Sequence, residues 1–246
     1  MELVIESGSG ETIFEGSRDV ELTLKRGDKT FDRTLTRATV SIPVVESRML
    51  KDDGRKVGYV ALASFSSGSH AEVYAAVRKL RKQGAQALVF DLRGNPGGLV
   101  REAQLVASGF IPEGTIVSTR GRAVQPETLQ ATGNPVAGKL PMVVLVERGT
   151  ASSAEIVTGA LKDTDRAEVV GTRTFGKGVF QEVTTLPNGG ALDLTVGQYF
   201  TPTGRNLGGG GVRRGAGITP DVKASDDPKT AKDEALDQAL ETVTGK

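Results

Sequence analysis

The sequence has no cysteine and no tryptophan, and aromatic residues make up 4% of it. Without cysteine, the chain can form neither a disulfide framework nor a thiol nucleophile, and it offers no thiolate to a metal. The single histidine, His70, cannot build a zinc site without several carboxylates, so we expect no metal and no cofactor. Small and branched aliphatic residues must therefore fill the core.

An excess of one charge and long apolar runs are also missing. The net charge is +1, and basic and acidic residues are interspersed, which argues against nucleic acid as a partner. No stretch approaches the roughly 20 apolar residues of a membrane-spanning helix. Residues Met1–Val4 lack the basic and apolar regions of a signal peptide, which leaves a cytosolic protein or a trimmed exported one open.

The composition that remains is typical of a globular protein with one large domain and a partial neighbour. The chain has 246 residues, of which 37% are apolar and 25% charged. Alternation over Asp19–Lys25, a turn at Arg26–Lys29 and a second polar-faced strand over Thr30–Val40 predict a β-hairpin. The pattern changes near residue 42, so we expect one segment at 1–41 and a main domain at 42–246.

In the main domain, strand patterns alternate with helix patterns. We predict strands at Lys56–Ala63, Ala87–Phe90, Thr115–Ser118, Met142–Val146, Glu182–Thr185, Ala191–Val196 and Tyr199–Thr201. We predict helices from Ser69 to Gly84, Leu99 to Ser108, Ser152 to Lys162 and Lys229 to Thr244. This alternation predicts an α/β fold with a mostly parallel sheet. Ser69 and Glu72 match a capping box, and the run Gly208–Gly211 predicts a flexible segment.

The first candidate site is the strand-to-helix junction Asp91–Gly98, of sequence Asp-Leu-Arg-Gly-Asn-Pro-Gly-Gly. In open α/β sheets, ligands bind beyond the carboxyl ends of the strands. Glycines at such a junction permit unusual dihedral angles, and free N–H groups at a helix start can hold an anion. A tight connection without a ligand would also explain the pattern.

The second candidate site is the junction Arg148–Glu155, which follows the Met142–Val146 strand. Ser152 or Ser153 falls at the helix start, where a serine is commonly a structural cap. A nucleophile at a strand-to-helix turn is the rival interpretation, although the Gly-x-Ser-x-Gly sequence of a nucleophile elbow is absent.

The third candidate site is the segment Gly171–Gly178, which nearly matches a phosphate-binding loop. Gly178 stands where the magnesium-binding hydroxyl would be, and a strand rather than a helix follows, which argues against a nucleotide site. What remains is Lys177 between two glycines. A lysine held in an apolar pocket has a lowered pKa and can act as a general base toward a serine. His70, in the first turn of a helix, is the weaker candidate base.

Together these three motifs resemble those of the C-terminal processing peptidases, the tail-specific serine proteases of family S41. The family's Asp-Leu-Arg-x-Asn-x-Gly-Gly-Leu segment is matched by Asp91–Leu99, and its serine motif by Gly149–Ile156. Thr150 replaces a serine there, and Ser153-Ala154 inverts the family's Ala-Ser. The Thr-Phe-Gly-Lys-Gly-x-x-Gln segment is matched by Thr174–Gln181, and Lys177 follows Ser152 by 25 residues, the separation that the family uses.

The resemblance implies a serine-type endopeptidase with a Ser152–Lys177 dyad. Ser152 is then the nucleophile, Lys177 the general base, neutral in the resting enzyme, and Gln181 the residue that orients the lysine. The backbone N–H groups of Gly98 and Ser153 form the oxyanion hole. Supporting roles fall to Gly97, Glu155 and Asp163. A carboxylate beside Lys177 would raise its pKa and hinder the base role.

The resemblance also implies a ClpP/crotonase-type β-α-β core with extra C-terminal strands and a terminal helix. Residues 1–41 would hold an incomplete PDZ-like segment. The expected partners are proteins or peptides with accessible C-termini, cleaved when unstructured or misfolded, with small apolar residues preferred; a homo-oligomer is also possible. An extracytoplasmic location follows from the resemblance alone. Two alternatives stay open: a peptide-binding or scaffold protein with an unassembled site, and a crotonase-type enzyme acting on an acyl thioester.

Overall fold

The computed structural model describes residues 19–27, 29–38, 43–122, 124–133, 135–213 and 216–245. The chain divides into two compact units, Met1–Pro43 and Val44–Lys246. In the first unit, strands β1 (Asp19–Arg26) and β2 (Lys29–Thr36) pair in antiparallel register, from Asp19 opposite Thr36 to Arg26 opposite Lys29. The predicted hairpin is therefore confirmed. The remainder of the expected PDZ-like segment, residues 1–18 and 39–41, lies outside the described residues.

The second unit contains the candidate site residues. Its strands within the described residues are β3 (Val45–Asp52), β4 (Arg55–Leu62), β5 (Ala87–Asp91), β6 (Thr115–Arg120), β7 (Glu127–Gln130), β8 (Met142–Val146), β9 (Glu168–Gly171), β10 (Val179–Thr185), β11 (Ala191–Phe200) and β12 (Val222–Lys223). Its helices there are α1 (Ser69–Lys82), α2 (Val100–Ser108), α3 (Ser153–Asp163) and α4 (Glu234–Thr244).

A six-stranded sheet in the order β12-β9-β8-β5-β4-β3 forms the centre of the described part of this unit. Its pairs are parallel except β3 with β4, so the predicted mostly parallel sheet is confirmed. Every residue of β5 and β8 is buried, as expected of parallel strands covered on both faces. Because β5 and β8 are parallel neighbours, the loops that follow them lie at the same edge of the sheet.

Helices cover the two faces of this sheet. On one face, alternate strand residues such as Phe90 and Val144 pack with α1, α2 and α3. On the other face, Val89 and Val143 pack with Leu236 and Ala239 of α4. A second, antiparallel sheet in the order β10-β11-β6-β7 lies within the described residues of the same unit. The result is a mixed α/β fold with several sheets.

Three sequence expectations about local structure are wrong. Ser69 and Glu72 form no capping box: Gly68 is the N-cap, and Glu72 accepts a hydrogen bond from Val44 N–H at 3.2 Å instead. Ala191–Phe200 is one continuous strand rather than two. The terminal helix begins at Glu234 rather than at Lys229, because the Asp233 side chain accepts a hydrogen bond from Leu236 N–H and so caps the helix.

The glycine run Gly208–Gly211 also differs from the expected flexible segment. Gly208 is buried, and its N–H donates to Asn206 Oδ1 at 2.9 Å. This local hydrogen bond and the burial of Gly208 therefore order the start of the run despite its composition.

Candidate active site

The loop after β5 is held in place by a buried asparagine. Asn95 is fully buried; its Nδ2 donates to Leu62 O at 2.8 Å, and its Oδ1 accepts from Gly97 N–H at 2.8 Å. Gly98 then pairs with Phe65 in a short parallel bridge. Gly97 and Gly98 have φ angles of +104° and +141°, which L side chains rarely adopt. The two glycines predicted from the motif therefore occupy positions that require glycine.

The loop after β8 is tied to the loop after β5. Thr150 Oγ1 donates to Leu92 O at 2.8 Å and accepts from Glu147 N–H at 3.0 Å. Ala151 N–H donates to Asn95 O at 3.0 Å. These bonds place the start of α3 next to the two glycines.

Ser152 stands at the N-cap of α3 in a strained backbone conformation, with φ 55° and ψ −119°. A non-glycine residue in such a region costs on the order of 1–3 kcal/mol and persists only where its surroundings fix it. Such strain occurs at the nucleophile elbow of serine hydrolases, where a sharp strand-to-helix turn exposes the hydroxyl. Ser152 and Glu155 form a capping box at the start of α3, but the positive φ of Ser152 is unusual for a cap and fits a nucleophile elbow.

Gly97 and Gly98 lie against the start of α3. A Cβ at Gly97 would be 2.8 Å from Ser152 Cβ and 3.0 Å from Ser153 N. Ser153 Oγ donates to Gly98 O at 2.7 Å. The N–H groups of Gly98 and Ser153 have no acceptor within the described residues. Two such donors beside a serine are what an oxyanion hole requires.

Glu155 links the serine segment to the lysine segment. It is fully buried, and its Oε2 accepts from Ser152 N–H at 3.0 Å and from Lys177 N–H at 2.9 Å. Its Oε1 accepts from Thr174 Oγ1 at 2.6 Å and from Gly176 N–H at 2.8 Å. One carboxylate therefore fixes the backbone on both sides of the candidate site. Sequence reasoning gave Glu155 a supporting role. It missed Thr174, although Thr174 is the first residue of the Thr174–Gln181 family segment.

Lys177 is half-buried, and the structure shows no hydrogen bond between its Nζ and Ser152 Oγ. Gln181 is exposed at the register shift in β10, and its side chain makes no hydrogen bond within the described residues. Asp163 lies at the far end of α3, where its Oδ2 accepts from Thr203 N–H at 3.1 Å. The structure thus groups Gly97, Gly98, Ser152, Ser153, Glu155 and Lys177. It joins neither Gln181 nor Asp163 to them by a hydrogen bond.

His70 makes a different contact. Its Nδ1 lies 2.8 Å from Glu102 Oε2, and Glu102 also accepts from the N–H groups of Gly68 and His70 and from the Ser69 hydroxyl. Burial alone would raise the pKa of Glu102, but these hydrogen bonds outweigh it and hold the pKa below its usual value. Glu102, which sequence reasoning missed, therefore caps α1 in the place of the expected Ser69–Glu72 box, and His70 belongs to that cap.

A cavity of about 440 Å³ at the carboxyl ends of β9 and β12 is lined by residues including Arg173, Pro220 and Lys223. It touches the first residues of the Gly171–Gly178 segment, but neither Ser152 nor Lys177 lines it. Within the described ranges, no three His, Asp or Glu side chains are grouped so that they could hold a metal ion. Of the helices that the structure describes, none is long and apolar enough to cross a membrane.

Comparison with known proteins finds similarity to peptidases at the level of family, sequence and structure. The family model described as "Peptidase family S41" matches residues 56–224. A carboxyl-terminal-processing protease of Picosynechococcus sp. is 38% identical over 211 residues, which cover 85% of this chain and 49% of that protein. A chloroplastic C-terminal processing peptidase of Tetradesmus obliquus is 39% identical over 172 residues, 70% of this chain and 37% of that protein.

Among solved structures, a photosystem II D1 C-terminal processing protease is similar with a TM-score of 0.68 and 34% identity. The similarity covers 89% of this chain and 58% of that one. The chain therefore spans about half the length, or less, of the two named relatives, and 58% of that solved structure.

Proposed function

The chain belongs to peptidase family S41, and we propose that it is a serine endopeptidase of the C-terminal processing type that works through a Ser152–Lys177 dyad. The observation that carries this proposal is the shared acceptor. Glu155 Oε2 binds the N–H of the strained Ser152 and the N–H of Lys177, at 3.0 and 2.9 Å. A structural cap would need the first of these bonds but not the second.

In the proposed reaction, Ser152 Oγ attacks the carbonyl carbon of the scissile peptide bond. Lys177 Nζ, in its neutral form, accepts the serine proton and later donates it to the leaving amine. The negative oxygen of the tetrahedral intermediate is bound by Gly98 N–H and Ser153 N–H. Water then attacks the acyl-enzyme carbonyl while Lys177 Nζ accepts a proton from it. The ester bond to Ser152 Oγ breaks, Lys177 returns the proton to that oxygen, and the acid product leaves.

Assembly of the dyad requires the two side chains to approach. Catalytic hydrogen bonds of this kind are often long or poorly aligned before substrate binds. We propose that Gln181, two positions into the register-shifted start of β10, orients the lysine once it turns toward Ser152. Asp163 acts on the site through α3, since it anchors the end of that helix to Thr203.

For the substrate, we propose unstructured or misfolded proteins cleaved near their C-termini, with small apolar residues preferred. Cleavage near the C-terminus is supported by the relatives, which are a carboxyl-terminal-processing protease and a C-terminal processing peptidase. We further propose a crotonase-like core over residues 42–246, a PDZ-like segment over 1–41 and an extracytoplasmic location. We also propose that the protein forms a homo-oligomer.

The alternative of a peptide-binding scaffold on this fold is not favoured by the comparisons, since the relatives that the chain matches are named as proteases. The alternative of a thioester enzyme would not need Lys177. Both alternatives predict that peptides are not cut.

The proposed specificity is tested with one unfolded reporter that carries either an apolar C-terminal tail or the same tail with acidic residues. Products are identified by mass spectrometry with the wild type and Ser152→Ala. The proposal predicts cuts near the C-terminus of the apolar-tailed reporter and none with Ser152→Ala. Equal cleavage of both reporters would overturn the specificity, and cleavage by Ser152→Ala would overturn the nucleophile.

A further inference from the structure

Lys177 lies between two glycines, and the backbone of another loop packs directly on both. A Cβ at Gly176 would be 2.5 Å from Arg213 O and 2.9 Å from Gly217 N. A Cβ at Gly178 would be 2.0 Å from Gly208 N. Side chains cannot be accommodated at such distances when the neighbouring atoms are backbone. The loop that follows Asn206 therefore covers the lysine segment at van der Waals contact.

The contact is reciprocal at Gly208. A Cβ there would be 2.6 Å from Gly178 N, 2.9 Å from Gly178 Cα and 1.7 Å from Gly211 O. Four residues after Gly208, Val212 pairs with Lys177 itself in a short antiparallel bridge. The backbone of Lys177 is thus held by Glu155 on one side and by this loop on the other.

Asn206 gives the loop its shape. Its Oδ1 accepts from Gly208 N–H at 2.9 Å and from Gly210 N–H at 2.8 Å, and its Nδ2 donates to Gln198 Oε1 at 2.7 Å. Glycine-rich backbone has many accessible conformations, and these bonds select one of them. The neighbouring bond from Leu207 N–H to Tyr199 O, at 3.2 Å, ties the loop to β11.

We infer that Asn206 is a positioning residue for the proposed base: through the contact of Gly208 with Gly178, here called the glycine clasp, it sets where Lys177 lies relative to Ser152. This inference rests on the proposed dyad and adds to it a residue outside the three motifs. A misplacement of about 1 Å of a catalytic group can cost about 100-fold in rate. The clasp therefore predicts an effect on the chemical step rather than on substrate binding.

The clasp contact is tested by Gly208→Ala with Gly211→Ala as its control. Both variants add one methyl group to the same loop, but the methyl group at Gly211 meets no atom within 4 Å. We expect Gly208→Ala to lower kcat by about 10- to 100-fold, with KM changed less than about threefold, and Gly211→Ala to match the wild type. Equal kcat values for the two variants would overturn the proposed role of the glycine clasp.

Three further variants keep the inference testable if Gly208→Ala does not fold. Asn206→Ala removes the acceptor. Asn206→Asp keeps the acceptor but loses the Nδ2 donor to Gln198 Oε1. Asn188→Ala removes an equivalent bond, from Gly190 N–H to Asn188 Oδ1 at 3.0 Å, in the β10–β11 turn. We expect Asn206→Ala to lose kcat by about tenfold, Asn206→Asp to lose less, and Asn188→Ala to match the wild type.

The outcomes separate the inference from the proposed function. If the wild type cleaves the apolar-tailed reporter and Lys177→Ala does not, the dyad stands, and an Asn206→Ala variant with unchanged kcat overturns the inference alone. A Lys177→Ala variant as active as the wild type overturns the proposed dyad, and the inference falls with it.

Discussion

Glu155 Oε2 accepts the Lys177 backbone N–H at 2.9 Å, although 22 residues separate the two in the chain. The same oxygen accepts the Ser152 N–H at 3.0 Å. The Glu155 carboxylate therefore holds the backbone of Lys177 in place. Its hydrogen bonds come from three backbone N–H groups and from the Thr174 hydroxyl.

This arrangement predicts that Glu155→Gln is damaging although it preserves shape. The amide replaces one acceptor oxygen with a donor that faces other donors, so buried N–H groups lose their partner. We expect the free energy of unfolding to fall by about 2–5 kcal/mol and cleavage to be lost. Urea unfolding and a cleavage assay measure both quantities, with Glu182→Gln on exposed β10 as control. Wild-type stability and rate in Glu155→Gln would contradict the assigned role.

Ser153→Ala tests the link between Ser153 and Gly98. The variant removes the hydrogen bond from Ser153 Oγ to Gly98 O, at 2.7 Å, but leaves both backbone N–H donors in place. We expect a loss of about 1 kcal/mol in stability and about tenfold in kcat, because the oxyanion donors are less well fixed. Ser108→Ala removes a comparable bond, from its Oγ to Gln104 O at 2.7 Å, in α2. The prediction fails if kcat changes equally in both variants.

Gly97→Ala tests the close approach of the glycine loop to the nucleophile. Its Cβ would lie 2.8 Å from Ser152 Cβ, so Ser152 or the loop must move. Gly94→Ala, in the same loop, also places alanine at a positive φ, 68°, but its nearest contact is at 4.0 Å. We expect both variants to lose about 1 kcal/mol or more of stability and Gly97→Ala alone to lose about 100-fold in kcat. Similar kcat values would show that the contact is unimportant.

Stability at acid pH depends on the ion pair of Asp233 with Arg93, whose bonds are 2.8 and 2.9 Å long. The hydrogen bond from Arg93 lowers the pKa of Asp233 below its usual 3.8, while partial burial opposes this effect. Because the folded-state pKa is lowered, the stabilisation is present above pH 3.8 and is lost as the pH falls through the folded-state value.

Thermal unfolding at pH 7 and near pH 3 measures this effect. Asp233→Asn keeps the N-cap of α4 but removes the charge. We therefore expect it to lower Tm at pH 7 and to reduce the difference in Tm between pH 7 and pH 3. Asp237→Asn, in the same helical turn, is the control. A pH dependence equal to that of the wild type would contradict the role of the pair.

The proximity of the first two motifs could be predicted from the sequence. Gly97 and Gly98 follow β5 and Ser152 follows β8, and the mostly parallel sheet places these two strands side by side. The four-bond role of Glu155 could not be predicted, since its partners, Thr174, Gly176 and Lys177, reach it through tertiary packing. The hairpin β3–β4 was missed although its turn, Asp53–Gly54, has the Asp-Gly sequence typical of such turns.

The prediction of a capping box at Ser69 and Glu72 was wrong for a related reason. Ser69 and Glu72 have the correct spacing, but Glu102 from α2 binds the donors at the start of α1. A glycine run likewise predicts flexibility by composition, whereas Asn206 and Gly178 order it. In both cases a partner distant in the sequence, Glu102 for the helix and Gly178 for the glycine run, acts against the local preference.

The most direct test of the central claim compares the cleavage rates of the wild type, Ser152→Ala, Lys177→Ala and the double variant on the apolar-tailed reporter. Residues that act as one catalytic unit lose activity non-additively. The proposed dyad predicts that each single variant falls to the same residual rate and that the double variant falls no further, while His70→Ala keeps its activity. Substantial cleavage by Lys177→Ala would contradict the dyad, and so would loss of cleavage in His70→Ala alone.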